Sequence, residues 1–274
     1  MSTQAETALE KNIFRKTNAQ KGRHVAVSPA NSAMKHLSYG RIILEASVPT
    51  VAFKNGDQET GLICLSGNAT VKTSGQEISL ERFDAVYVPR GSAIEISTSS
   101  SADLAELSAD VTGDYPLQIV RYSEIAKDPG LKFSTGGPGS SRTLNMLLAK
   151  NVNAGRLVAG VTFSDPGNWT SWPPHEHAKM LEELYVYIDM PDPAFGIQLV
   201  YNNTQYPELV TVVRDGDAVL IPSGYHPNVS VPGHRIGFLW AMAAHTEVED
   251  RQFGVVNIQQ GFAQGASGLE AGRK

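Results

Sequence analysis

Residues Gly167 to Glu183 read GNWTSWPPHEHAKMLEE and hold the groups best suited to chemistry. His175 and His177 stand one residue apart, and two carboxylates, Glu182 and Glu183, follow just before the strand-like run LYVYI. On an extended segment side chains alternate, so a His-x-His pair projects both imidazoles from one side. The preceding Pro173-Pro174 favours an extended approach. Two imidazole nitrogens and a nearby carboxylate oxygen suit a borderline divalent metal.

Further on, PSGYHP presents His226 after a tight turn, where it can add a fourth ligand. The candidate metal set is therefore His175, His177, Glu183 and His226. If the chain stays extended after His177, even spacing puts Glu183 on the histidine face with Tyr185 and Tyr187, and turns Glu182 away. A turn or bulge within AKML would reverse that choice and make Glu182 the ligand. A lone histidine is more often a surface or satisfied core residue. Here three of the chain's seven histidines fall in two motif-like places. Gln198, in FGIQLVY, is a candidate buried hydrogen-bonding group facing the metal, and His245 could lie near the mouth of such a site.

The surrounding elements read as short strands. Apolar runs such as YGRIILEASV, GLICLSG, DAVYVPRG, RLVAGVTFS, DAVLIPSG and RIGFLWAMAA are cut by Gly, Asn, Asp and Pro, and β-branched residues fill them. Helical periodicity is scarce, with a turn or two at SEIAKD and another at Ser32 to Lys35. The glycine–serine stretch STGGPGSSR, 134–142, marks the seam between two halves. Asp84-Ala-Val-Tyr-Val-Pro89-Arg-Gly91 in the first half matches Asp217-Ala-Val-Leu-Ile-Pro222-Ser-Gly224 in the second, which points to duplication of one β unit. Ala93 then stands where the second copy has His226, so the second half carries the site and the first is structural. Residues 1 to about 24 read as a loosely held arm and the last ~20 residues as a mobile tail.

At 274 residues, with 41% hydrophobic and 19% charged residues, the composition is that of a soluble globular protein with a substantial core. A net charge of −5 gives no basic footprint for nucleic acid. No segment approaches the ~20 apolar residues of a membrane span, and no apolar run near the N-terminus has signal-peptide length. The single cysteine, Cys64, excludes an internal disulfide and suits a reducing cytoplasm. A cytoplasmic protein with neither nucleic-acid nor membrane partner is expected.

The pattern Gly-x(7)-His-x-His-x(4,5)-Glu, followed by Gly216-x(5)-Pro222-x-Gly224-x-His226, resembles the paired motifs of the cupin superfamily. More narrowly, PGNWTSWPPHEHAKMLEELYVY, FGIQLVYN, DGDAVLIPSGYHP and LWAMAA resemble the family uniting 5-deoxy-glucuronate isomerase of inositol breakdown with 5-keto-4-deoxyuronate isomerase of pectin breakdown. The GNW…PPHxH and GYHP pieces lean to the inositol branch. The resemblance implies an all-β bicupin, two jelly-roll (double-stranded β-helix) barrels. Residues 1–133 would form a barrel lacking metal ligands, and 143–274 a barrel binding metal through His175, His177, Glu183 and His226. Zinc is the first choice from the ligand set, with manganese, iron or nickel also able to bind it.

The implied reaction is an aldose–ketose isomerisation of a small uronate-type sugar, with Glu182, Lys179 or Tyr225 shuttling the proton. Its alternatives are the sister reaction on 5-keto-4-deoxyuronate, a cupin oxygenase, or a non-catalytic sugar-binding protein. Duplicated barrels often pair, so a homo-oligomer is compatible with this reading.

Overall fold

The computed structural model describes residues 11–262. Nearly all of its regular structure is antiparallel β. The one helix among the described residues, Tyr122–Ile125, overlaps the stretch where SEIAKD suggested a turn. No helix among the described residues is long and apolar enough to cross a membrane.

The first half builds a six-stranded and a four-stranded sheet; the second builds a four-stranded sheet and the five inner strands of a seven-stranded one, whose edges are Ile13–Phe14 and Lys132–Thr135. In the six-stranded sheet Gln58–Gly67 lies between Ala85–Val88 and Ala102–Asp110. In the seven-stranded sheet Leu181–Tyr187 lies between Ala218–Ile221 and Gly237–Ala244. These central strands are covered on both faces, which is why GLICL and LEELYVY are not simple alternations of apolar and polar residues. Between the two sheets of the first half, Ile42, Leu62, Val71, Val86, Ile94, Ile96 and Leu104 form a closed apolar core. A second and larger core runs through the second half and into the contact between the halves, joining Tyr39, Ile63 and Leu107 to Met146, Leu148 and Leu157.

Strand register exposes the repeat. Thr60 pairs with Val88 and Ile63 with Ala85, while Glu183 pairs with Ile221 and Val186 with Ala218. Since Ala85 and Val88 match Ala218 and Ile221 in the repeated motif, Thr60 occupies the place of Glu183, and Glu59 that of Glu182. The first half thus has a threonine at the carboxylate position, where its hydroxyl accepts from the Asn55 side chain at 3.3 Å.

Toward both ends the described residues are held more firmly than composition suggested. Ile13–Phe14 adds an edge strand to Ala218–Ile221, and Arg15 pairs with Asp217 at 2.6 Å, so the expected N-terminal arm is docked from residue 12 onward, its first ten residues lying outside the described ones. Lys132–Thr135 likewise pairs with Arg142–Leu148, across the glycine–serine stretch. Near the other end, Asn257–Ile258 pairs with His175–Glu176, and the Phe262 ring packs edge-on against Trp172 at 5.2 Å. The expected mobile tail is therefore ordered through residue 262, and the rest of that segment lies outside the described residues.

Candidate metal centre

His175 sits at the start of a two-residue strand held by Asn257–Ile258. The chain then turns over Ala178–Met180, with the amides of Met180 and Leu181 both donating to the His177 carbonyl, before entering Leu181–Tyr187. The run is not extended, yet Glu183 still faces the histidines. Its side is set by the register of Leu181–Tyr187 between its neighbours, not by parity counted from His177. His226 follows Gly224, whose φ of +98° is a conformation that L side chains rarely adopt.

All four candidate ligands are buried and meet. One ligand atom from each of His175, His177 and His226 lies within 4.8 Å of the others. The Glu183 Oε2 is 3.2 Å from His177 Nε2 and 3.1 Å from His226 Nε2. Each imidazole is oriented from behind by a backbone carbonyl. His175 Nδ1 reaches Pro173 O at 2.9 Å, His177 Nδ1 reaches Leu181 O at 3.1 Å, and His226 Nδ1 reaches Gly224 O at 2.9 Å. A neutral ring that donates Nδ1–H to a carbonyl carries its lone pair on Nε2. The arrangement therefore aims three nitrogen lone pairs and a carboxylate at one another inside the protein.

That donor set fits a cation and is poorly explained without one. The buried Nε2 of His226 makes no hydrogen bond, although Glu183 is 3.1 Å away. Two lone pairs facing a carboxylate oxygen repel unless a proton or a metal lies between them. The metal-free electrostatics express the same demand. Burial raises the Glu183 pKa, but His177 and His226 outweigh it and bring it down to about 2. Burial, reinforced by His226 and His177, lowers His175 to about 3. Burial also lowers His177, but its contact with Glu183 prevails and the net shift is upward. Carbonyl-oriented imidazoles with inward Nε2 atoms are the usual arrangement around a bound divalent ion.

A cavity opens beside His175 and Glu183. Leu144, Phe238, Trp240, Met242 and Phe253 supply apolar walls, and Arg142, Thr162, Ser171 and Tyr185 the polar groups. Tyr185 and Ser171 share a 2.6 Å hydrogen bond, and Trp240 donates Nε1–H to Thr162 at 3.1 Å. Arg142, Thr162 and Ser171 are not legible in the sequence because each is a single polar residue with no motif around it.

Other expected residues lie elsewhere. Glu182 points to the opposite side of its strand, where its oxygens accept the amides of Lys35, His36 and Leu37 at 2.7, 2.8 and 2.7 Å. Lys179 is exposed on the turn. Tyr225 is half-buried beside His226, with its ring against Tyr201. Gln198 does not face the histidines directly. It accepts the Tyr187 hydroxyl at 2.5 Å and donates to the His226 carbonyl at 3.0 Å, bracing the segment that carries His226. His245 packs 5.4 Å from His36, near the Glu182 contact.

The KduI/IolB family profile matches residues 12–257. The 5-deoxy-glucuronate isomerase of Geobacillus thermodenitrificans is 28% identical over 241 residues, covering 82% of this chain and 86% of the relative. Among solved structures, an IolB-like protein from Salmonella typhimurium superimposes with a TM-score of 0.80 at 21% identity, covering 92% of this chain and 98% of that one. A Cupin 2 conserved barrel domain protein from Leptotrichia buccalis gives 0.50 at 12% identity, over 81% and 88% of the two chains. The architecture is thus nearly all-β and cupin-like, as the motif resemblance implied.

Proposed function

The chain belongs to the KduI/IolB family, and from that membership we propose that it is a metal-dependent aldose–ketose isomerase converting 5-deoxy-glucuronate, in inositol catabolism in the cytoplasm. The observation that carries the metal is the convergence of three carbonyl-oriented histidines on Glu183 at the wall of a mostly apolar cavity. The activity for which the relatives are named supports the substrate.

His175, His177, His226 and Glu183 would hold the ion, for which three nitrogens and one oxygen make zinc our first choice. When bound, a divalent cation supplies Lewis acidity toward a sugar carbonyl. The remaining work falls to the chain. The apolar walls exclude water, which strengthens every polar contact inside. Tyr185, whose pKa burial pushes well above 10, stays protonated, so its hydrogen bond with Ser171 keeps an O–H donor available toward the sugar oxygens. Of the three shuttle candidates, Glu182 has both oxygens engaged by amides and Lys179 stands in solvent. We therefore assign the proton shuttle to Tyr225, with the Tyr185–Ser171 pair as its competitor.

We further propose that the architecture is a bicupin, with the seam at 134–142 and a first barrel, 1–133, that lacks ligands. In this reading Ile13–Phe14 of the first unit, and Lys132–Thr135 where that unit runs into the seam, serve as edge strands of the second unit, 143–274. The test is conversion of 5-deoxy-glucuronate before and after chelation, with 5-keto-4-deoxyuronate and oxygen consumption as parallel assays. Turnover of the second sugar, or oxygen uptake, would replace the present substrate or reaction class.

A further inference from the structure

We propose that Phe253 is the gate of the cavity beside the candidate metal centre, its ring closing the way in from an outer groove and swinging off Trp240 to admit a ligand. This inference rests on the reading above only in taking that cavity as the place where a ligand is received.

As it stands, the cavity is closed to a sugar. Its volume is about 40 Å³, room for roughly three water molecules. Pockets that bury a small organic ligand run to about 300 Å³ and more. A groove of about 340 Å³ lies on the other side of Phe253. Phe253 is the one described residue that lines both hollows. Moving its ring from between them joins a cavity too small for a sugar acid to a groove that is large enough.

The other walls are poorly placed to open. Leu144, Thr162, Tyr185 and Trp240 stand on inner strands of the seven-stranded sheet, each paired along both edges. Ser171 is tied to the Tyr185 hydroxyl, and His175 is paired with Ile258. Phe253 lies outside the strands, half-buried between Gly237–Ala244 and Asn257–Ile258. Its ring stacks on Trp240 with centroids 5.0 Å apart and planes 25° apart. A single aromatic pair is a weak contact, and side chains of this exposure change rotamer readily. The backbone on either side is anchored. Arg251 donates to the Leu157 and Ala149 carbonyls at 2.8 and 2.7 Å, and Asn257–Ile258 pairs with His175–Glu176. The ring can therefore swing while its segment stays docked, and its return shuts water out over a bound ligand.

The test reads access to the cavity without relying on turnover. Leu144→Cys places a thiol in the cavity wall, while the native Cys64, buried in the core of the first half, reports general unfolding in the same molecule. Labelling by sulfonatoethyl methanethiosulfonate, a small organic anion, is followed by mass spectrometry of the two thiol peptides in protein as purified. Adding Phe253→Ala should speed labelling of the introduced thiol by about 10-fold or more and leave Cys64 within about 2-fold, because the rate follows the open fraction. Should Phe253→Ala fail to fold, Phe253→Leu carries the same comparison with an expected rise of about 5-fold. Labelling of the introduced thiol that stays within about 2-fold of the parent, or a rise shared equally by Cys64, would overturn the inference. If labelling speeds up as expected in a protein that does not convert 5-deoxy-glucuronate, the gate stands and the proposed function falls. Conversion of that sugar by wild type, with labelling unmoved by the Phe253 variants, would overturn the gate and leave the proposed function standing.

Discussion

Glu59 and Glu182 occupy equivalent register positions in the two halves, and each closes on three successive backbone amides of the other half. Glu59 accepts from Gly155, Arg156 and Leu157 at 2.8, 2.7 and 2.8 Å, as Glu182 does from Lys35, His36 and Leu37. Both carboxylates are fully or almost fully buried. A buried carboxylate is tolerated when its lone pairs meet several donors, and three charge-assisted bonds per side make a reciprocal clasp between the halves. Because Glu182 adjoins Glu183, the same short strand segment joins the clasp to the candidate metal centre.

Replacing either clasp residue by glutamine should destabilise the fold, because a neutral amide cannot accept as strongly and its NH₂ would face backbone N–H groups. A loss of about 2–4 kcal/mol is expected for each variant by urea denaturation. For Glu182→Gln, turnover per folded, metal-loaded molecule should stay within about 3-fold of wild type, since its oxygens are committed to Lys35–Leu37. A drop of 10²-fold or more with stability intact would restore Glu182 as the proton shuttle.

The shuttle assignment separates two tyrosines. Tyr225→Phe should retain metal and lose about 10²–10⁴-fold in kcat. Tyr185→Phe should cost less, about 10-fold, because it removes one hydrogen-bond donor while leaving the ring packed 4.4 Å from Phe238. The opposite ranking in steady-state kinetics would transfer the role to the Tyr185–Ser171 pair.

Acid should weaken the contact between the halves at Glu247. Burial raises this carboxyl's pKa, but the amides of Thr112 and Gly113, the Thr112 hydroxyl and Arg156 outweigh it and hold it below the ordinary range. A carboxyl depressed by folding stabilises the native state above its unfolded pKa of about 4.3, and that stability is lost as pH falls through the folded value. Glu247→Gln should therefore be less stable than wild type at pH 7, by about 1 kcal/mol given partial solvent exposure, and the gap should narrow at a pH below the ordinary carboxylate range. Denaturation curves at the two pH values check this, and a gap that widens in acid would contradict it.

Gln198→Leu probes the support behind His226. It removes the donor to the His226 carbonyl and the acceptor of the Tyr187 hydroxyl. A loss of roughly 10–100-fold in metal affinity is expected in a chelator competition, with the four ligands intact. Unchanged affinity would mean that the turn at Gly224 suffices to hold the histidine.

The metal-facing residues are legible in the sequence because they fall in two compact motifs whose histidines have no ordinary structural reason to cluster. The parity argument for Glu183 over Glu182 needs an extended chain that does not exist; the turn at Ala178–Met180 intervenes, and strand register produces the same side. Glu59 and the partners of Glu182 are invisible at that level, since a carboxylate in a strand reads as solvent-facing unless the donors from another segment are known. Arg142, Thr162 and Ser171 come together only through tertiary packing. The docking of residues 13–14 and 257–258 is hidden for a related reason: two-residue strands carry no periodicity, and their pairing partners are distant in the chain.

The most direct test is the metal content of protein purified without chelators, measured by elemental analysis, in wild type and in His226→Ala and Glu183→Gln. About one divalent ion per chain in wild type, lost or bound at least ~10²-fold more weakly in both variants, with conversion of 5-deoxy-glucuronate abolished by chelation and restored by the ion, is the predicted result. Wild-type protein that carries no metal, takes none up when it is offered and still isomerises the sugar would contradict the account.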